Sequence, residues 1–168
     1  MKLIIHDLNE EQLYNVKMHE LCDEEDMIID SNRLNHYCVG CFDCWLKTPG
    51  RCRIKDEFQG LGERLSKVDE FIIISKSTFG SYSSVIKNVL DRSISYVLPY
   101  FSVRNKEMHH GLRYTNSLRI SAYFYGENIT KKERETAENL VKANAVNLNG
   151  RIGKVVFADC LDMLKEVL

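Results

Sequence analysis

Glu70-Phe-Ile-Ile-Ile-Ser-Lys-Ser-Thr-Phe-Gly-Ser-Tyr-Ser-Ser-Val-Ile-Lys-Asn-Val-Leu-Asp-Arg92 reads as a buried strand, a tight polar loop and an amphipathic helix in immediate succession. Within the strand Glu70–Ser75, the run Phe71–Ile74 is continuously apolar, as a strand covered on both faces requires. The loop Lys76–Tyr82 carries hydroxyls and one glycine. The helix Ser83–Val97 then presents Val85, Ile86, Val89, Leu90, Ile94 and Val97 on one face. A strand feeding a helix in this way is the repeating unit of a parallel sheet wrapped by helices.

Outward from this unit the same alternation continues. Strands are expected at Lys2–Leu8, Met27–Asp30, Leu118–Tyr125 and Lys154–Ala158. Helices are expected at Asn9–Cys22, Asp56–Val68, Thr130–Asn147 and Leu161–Leu168. Asn9 with Gln12, and Thr130 with Glu133, have the spacing of capping boxes. Gly60 and Gly62 weaken the second of these helices. The pattern predicts an α/β, doubly wound, five-stranded parallel sheet of order 2-1-3-4-5 with helices on both faces, as one domain over residues 1–168. The segment 99–117 has no clear period, and a connection that long usually has a task. Its Arg104, Lys106, His109, His110 and Arg113 suit a basic lid over an anionic cofactor, with a solvated loop or a subunit contact as the alternative.

Composition narrows the function classes. Of 168 residues, 44% are hydrophobic and 28% charged, a globular balance. A net charge of -1 argues against nucleic acid as a partner. No stretch approaches the roughly 20 apolar residues of a membrane span. The apolar run in the opening MKLIIHDL is too short for a signal peptide, so a cytoplasmic location is expected. Six cysteines in such a compartment point to metal binding or redox chemistry rather than to a disulfide scaffold.

Four of those cysteines fall in the loop 37–53, spaced Cys-x2-Cys-x2-Cys-x7-Cys. Cys38, Cys41, Cys44 and Cys52 can converge on one centre if the loop wraps it. A [4Fe–4S] cluster and a tetrahedral zinc site both take four thiolates. Unligated thiols are the remaining reading. Cys22 and Cys160 stand alone as core or surface residues. The loop Ser77, Thr78, Phe79, Gly80, Ser81, Tyr82 follows a central strand, at the edge where open α/β sheets bind ligands.

The stretch Cys38-Val-Gly-Cys-Phe-Asp-Cys-Trp-Leu-Lys-Thr-Pro-Gly-Arg-Cys52, with Ile54-Lys55-Asp56 behind it, resembles the flavodoxin-like NAD(P)H-dependent FMN reductases and their iron–sulfur flavoprotein relatives. So does Ser75–Ser84 leading into Val85-Ile-Lys-Asn-Val-Leu-Asp-Arg92. The resemblance implies a flavodoxin-like fold, FMN packed against Ser77–Tyr82 and flanked by Tyr125 and Gly126, and NAD(P)H as co-substrate. In the iron–sulfur relatives a compact cysteine motif carries a [4Fe–4S] cluster beside FMN, so the resemblance implies a [4Fe–4S] cluster or zinc on the cysteine loop near the flavin edge, and a homo-oligomer. The expected function is an FMN-dependent NAD(P)H oxidoreductase or electron-transfer flavoprotein. One stretch departs from the family. His6-Asp-Leu-Asn-Glu-Glu-Gln12, where relatives wrap the flavin phosphate, has no glycine, serine or threonine, and Asp7, Glu10 and Glu11 put negative charge there. Asn9 is the residue best able to help hold a phosphate. The alternative is therefore a flavodoxin-fold protein that has lost FMN and serves as a four-cysteine metal-binding or redox-sensing module.

Overall fold

Along the chain the elements are β1 (Lys2–His6), α1 (Glu10–Asn15), α2 (Met18–Leu21), β2 (Met27–Asp30), α3 (Asp43–Leu46), α4 (Leu61–Ser66), β3 (Glu70–Lys76), α5 (Ser84–Arg92), β4 (Val97–Arg104), β5 (Glu107–Leu112), β6 (Arg119–Tyr125), α6 (Lys131–Asn147), β7 (Arg151–Ala158) and α7 (Leu161–Val167). This is a computed structural model, and it describes residues 1–104 and 106–167, with Leu21 described by its backbone alone. Residues 105 and 168, which fall in the expected lid and last helix, lie outside the described residues.

The main sheet runs β2-β1-β3-β6-β7, every pairing parallel. Counting only these strands, the order is the predicted 2-1-3-4-5. Side chains alternate across the sheet and bury on both faces. Leu3, Ile5, Phe71, Ile73 and Phe124 meet Leu61, Leu65, Ile86 and Val89 on one face. Ile4, Ile74, Tyr123 and Tyr125 meet Leu8, Val16, Met18 and Leu164 on the other.

Three expected elements differ. The helix Asn9–Cys22 is two short pieces, broken where Lys17 adopts the left-handed conformation at φ 52. No side chain of α1 is buried, so packing does not hold a continuous helix there. The helix Asp56–Val68 shrinks to Leu61–Ser66, because the carboxylate of Asp56 is engaged by the Phe58 amide and by Arg92. The helix after β3 ends at Arg92, and a 3-10 turn, Ser93–Tyr96, follows.

The segment 99–117 is no lid over the carboxyl edge of the sheet. β4 and β5 form an antiparallel hairpin with a register shift between Val97 and Phe101. Arg104 Nη1 donates to Asn149 Oδ1 at 2.6 Å, just before β7 begins, which places the hairpin toward the amino end of the strands. Arg113 Nε donates to the Ser95 carbonyl, so Arg104 and Arg113 serve packing. Among the described residues no helix is long and apolar enough to cross a membrane.

Candidate functional site: the cysteine cavity and the carboxyl edge

The cysteine loop is a folded structure. Gly40 at φ 65 and Phe42 at φ 56 turn the chain into α3, a single turn that carries Cys44 and Trp45. Trp45 anchors it, donating Nε1 to the carbonyls of Val97 at 2.9 Å and Ile94 at 3.2 Å. The return limb is pinned by paired bonds between Cys52 and Gln59: the Cys52 amide donates to the Gln59 carbonyl, and Gln59 Nε2 donates to the Cys52 carbonyl. Cys38, Cys41, Cys44 and Cys52 all line one cavity of about 40 Å³, with Phe42, Ile54 and Ile94 as apolar wall. Cys38 and Cys41 open to solvent, Cys52 is half-buried and Cys44 is buried. Burial pushes the Cys44 thiol up, and the charges of Cys52, Cys38 and Cys41 push it further, as mutual proximity requires. Among the described residues no group of three His, Cys, Asp or Glu side chains is placed to hold a metal ion.

Arg92 forms the inner wall of the same cavity. Its guanidinium makes a two-pronged pair with Asp56, both bonds 2.7 Å, and Nη1 also donates to the His36 carbonyl. In the sequence Arg92 is only the end of an amphipathic helix. The signal that could have found it is a charged residue whose side chain follows the buried stripe Ile86, Val89.

The carboxyl edge holds the other expected site residues, and they divide. Phe79 stands at the loop tip at φ 52 and is 90% exposed, free to cover a flat ligand. Thr78 and Ser81 close the turn on each other through their backbones, and the Ser77 amide donates to the Tyr125 carbonyl. Tyr82 does not face this edge. It is 1% exposed, stacks on Phe124 at 5.3 Å, and is bonded by Asn144 at 3.3 Å. That burial pushes its hydroxyl up to about 12. Gly80 is a packing residue, since a Cβ there would fall 2.9 Å from the Glu133 carbonyl oxygen on α6. Asn9 is occupied as well: its side chain accepts from the Gln12 amide, and Gln12 Oε1 accepts from the Asn9 amide. Asp7 accepts from the Lys76 amide at 3.0 and 3.2 Å and from the Tyr125 hydroxyl at 2.9 Å. Beside it lies a cleft of about 720 Å³ bordered by Lys76, Tyr125 and Gly126, and also by Glu127, Asp159 and Asp162.

The model of one family, NADPH-dependent FMN reductase, matches residues 10–126. The chain belongs to this family. The FMN reductase family is one of flavin-dependent oxidoreductases, and a curated relative, an iron–sulfur flavoprotein of Archaeoglobus fulgidus, is 32% identical over 69 residues, 41% of this chain. This chain spans about a third of that relative's length. Among solved structures, a flavoenzyme NAD(P)H:acceptor oxidoreductase from Paracoccus denitrificans aligns with TM-score 0.54 at 16% identity, covering 90% of this chain and 74% of its own. An FMN-dependent NADH-azoreductase from Bacillus anthracis aligns with TM-score 0.51 at 14% identity, covering 98% and 92%. Both carry the flavodoxin-like fold.

The FMN of this family fits the chain unevenly. Phe79 is exposed and Gly126 borders the open cleft, so both can meet a flat ring. The phosphate end fits poorly: the Asn9–Gln12 box takes the Gln12 and Asn9 amides, acidic Glu10 and Glu11 stand in the first turn of α1, and the Asp7 carboxylate already occupies the Lys76 amide and the Tyr125 hydroxyl. The donor set of the cysteine cavity does suit a four-thiolate group. α5 starts beside the β3 loop and ends at Arg92 in the cavity wall, so its nine residues separate the two by roughly 13 Å.

Proposed function

We propose that the protein is an electron-transfer oxidoreductase of the FMN reductase family whose own redox group is a [4Fe–4S] cluster held by Cys38, Cys41, Cys44 and Cys52. The observation that carries this reading is that all four thiols line one cavity, the donor set that a [4Fe–4S] cluster would take. When bound, such a group supplies one-electron transfer.

The chain's own residues prepare the cavity. Trp45 fixes the turn that delivers Cys44, and the Cys52–Gln59 bonds fix the return limb. Phe42, Ile54 and Ile94 keep water from the inner wall, while Cys38 and Cys41 remain at the surface where an electron partner has access. All six cysteines are free thiols, which suits a reducing cytoplasm. NAD(P)H and a flavin are the redox partners that the family suggests.

A second reading is favoured by the exposed ring of Phe79 and the cleft at Lys76, Tyr125 and Gly126. In it the chain is an FMN-dependent NAD(P)H oxidoreductase that holds FMN by its ring, with the phosphate outside the first loop. Anaerobic purification without added cofactor, followed by assay of iron, acid-labile sulfide, zinc and flavin, tests both. The cluster reading expects iron and sulfide together with broad visible absorbance. A colourless protein holding zinc overturns it, and bound flavin at one per chain supports the second reading.

A further inference from the structure

We propose that Arg92 sets the reduction potential of the group on the cysteine loop, by donating from its guanidinium to the Cys52 sulfur. This inference rests on the cluster reading above. The side chain of Arg92 is fully buried, 0% exposed, and lines the cavity shared by all four cysteines. Three hydrogen bonds run from its terminal nitrogens to Asp56 and His36, yet among the described residues Nε has no hydrogen-bond partner. Cys52 lines the same cavity wall as Arg92. A buried donor left without an acceptor is costly, and a thiolate carrying cluster charge is the acceptor this wall presents.

Reduction adds an electron to the cluster and its sulfurs. A hydrogen bond and a positive charge at one of those sulfurs favour the reduced form, and hydrogen bonds to the sulfurs are an established determinant of cluster potential. Solvent screens the interaction little on the Arg92 side, whose side chain is fully buried. Asp56 acts with opposite sign. Its carboxylate, 20% exposed, neutralises the guanidinium and so weakens the pull on the cluster. Arg53 also lines the cavity, but its side chain is 62% exposed and paired with Asp43 at 3.4 Å, so solvent screens it.

The test is a spectroscopic redox titration of the intact, iron-loaded protein and its variants. Arg92→Gln shifts the midpoint to a more negative potential by at least about tenfold in the reduction equilibrium, about 59 mV for one electron. Asp56→Asn shifts it in the opposite direction. Arg53→Gln leaves it unchanged. Arg92→Lys, which keeps the charge and loses the fork, falls between wild type and Arg92→Gln. A merely structural role would lower stability in both partners without moving the potential in opposite directions. If Arg92→Gln does not fold, the sign of the Asp56→Asn shift decides the matter, because a negative or null shift overturns the proposal. A wild-type protein without iron and sulfide overturns the cluster reading itself. An iron-loaded protein whose potential ignores both substitutions overturns the role of Arg92 alone.

Discussion

The hydroxyl of Tyr125 donates to Asp7 Oδ1 at 2.9 Å, joining residues 118 positions apart at the carboxyl edge of the sheet. With the Lys76 amide on the same carboxylate, the loop after β1 is closed by a group of this chain. The first prediction follows from that closure. A phosphate held by helix amides would favour FMN over riboflavin at least tenfold, about 1.4 kcal/mol. Here the Asn9–Gln12 box and the Asp7 carboxylate stand where the phosphate would be held, so titrations by fluorescence quenching are expected to give Kd values for FMN and riboflavin within about threefold of each other. A tenfold preference for FMN would contradict the closed loop.

A second prediction concerns Arg92 and Asp56 as a structural pair. Removing one partner of a buried pair leaves the other uncompensated, so Asp56→Ala is expected to destabilise the fold by about 3–5 kcal/mol in denaturant titrations at neutral pH. The pair also has a pH signature. The hydrogen bonds from Arg92 hold the Asp56 carboxyl below its ordinary range. Its contribution is therefore present above the unfolded-state value of about 3.9, and is lost as pH falls through the lower folded value. Stability measured across that acid range should fall less steeply in Asp56→Asn than in wild type.

Tyr82 gives the opposite pH dependence. Burial raises its hydroxyl to about 12, against about 10 in an unfolded chain. Its contribution is full below the unfolded value and is lost as pH rises toward the folded one. Between the two the unfolded state alone releases the proton, which costs about 1.4 kcal/mol per pH unit. Urea unfolding on either side of this window should show a steeper alkaline decline for wild type than for Tyr82→Phe. Equal slopes would mean that Tyr82 titrates normally and is not enclosed by Phe124.

Gly60 and Gly62 separate two effects that the sequence alone merges. A Cβ on Gly62 would fall 2.5 Å from Ser95 Oγ and 2.7 Å from the Tyr96 amide, whereas nothing lies within 4 Å of one on Gly60. Gly62→Ala is expected to cost about 1–3 kcal/mol despite the better helix propensity of alanine, because it overpacks the contact with the turn after α5. Gly60→Ala should stay within about 0.5 kcal/mol. Thermal or denaturant melts of the two variants decide this.

Much of the fold was legible because its signals are local. Phe71–Ile74 declares a strand covered on both faces, and Asn9 with Gln12 declares a helix start; both stand as expected. The strand order follows from the alternation of such units. What escaped was set by distant contacts. Lys17 breaks a helix that only packing would have kept whole, and the segment 99–117 gains its pairing from an irregular hairpin whose exposed and buried positions do not alternate cleanly. The candidate site divides in the same way. The four cysteines were visible by spacing, and the acidic first loop by composition. Tyr82 and Phe79, three positions apart in one loop, look alike in sequence, yet one packs on Phe124 and the other stands in solvent. Arg92 was invisible as a wall of the cysteine cavity because Cys52 and Asp56 reach it from the other side of a long loop.

The most direct test of the central claim is low-temperature electron paramagnetic resonance of the anaerobically purified protein after reduction, for wild type and for Cys44→Ser. Cys44 is the buried member of the set, and serine keeps the backbone carbonyl that accepts from the Gly50 amide. Wild type is expected to give the signal of a reduced [4Fe–4S] cluster, with about four iron and four sulfide per chain, and Cys44→Ser to lose it. No cluster signal in wild type, or the same signal and iron content in Cys44→Ser, would contradict a cluster held by Cys38, Cys41, Cys44 and Cys52.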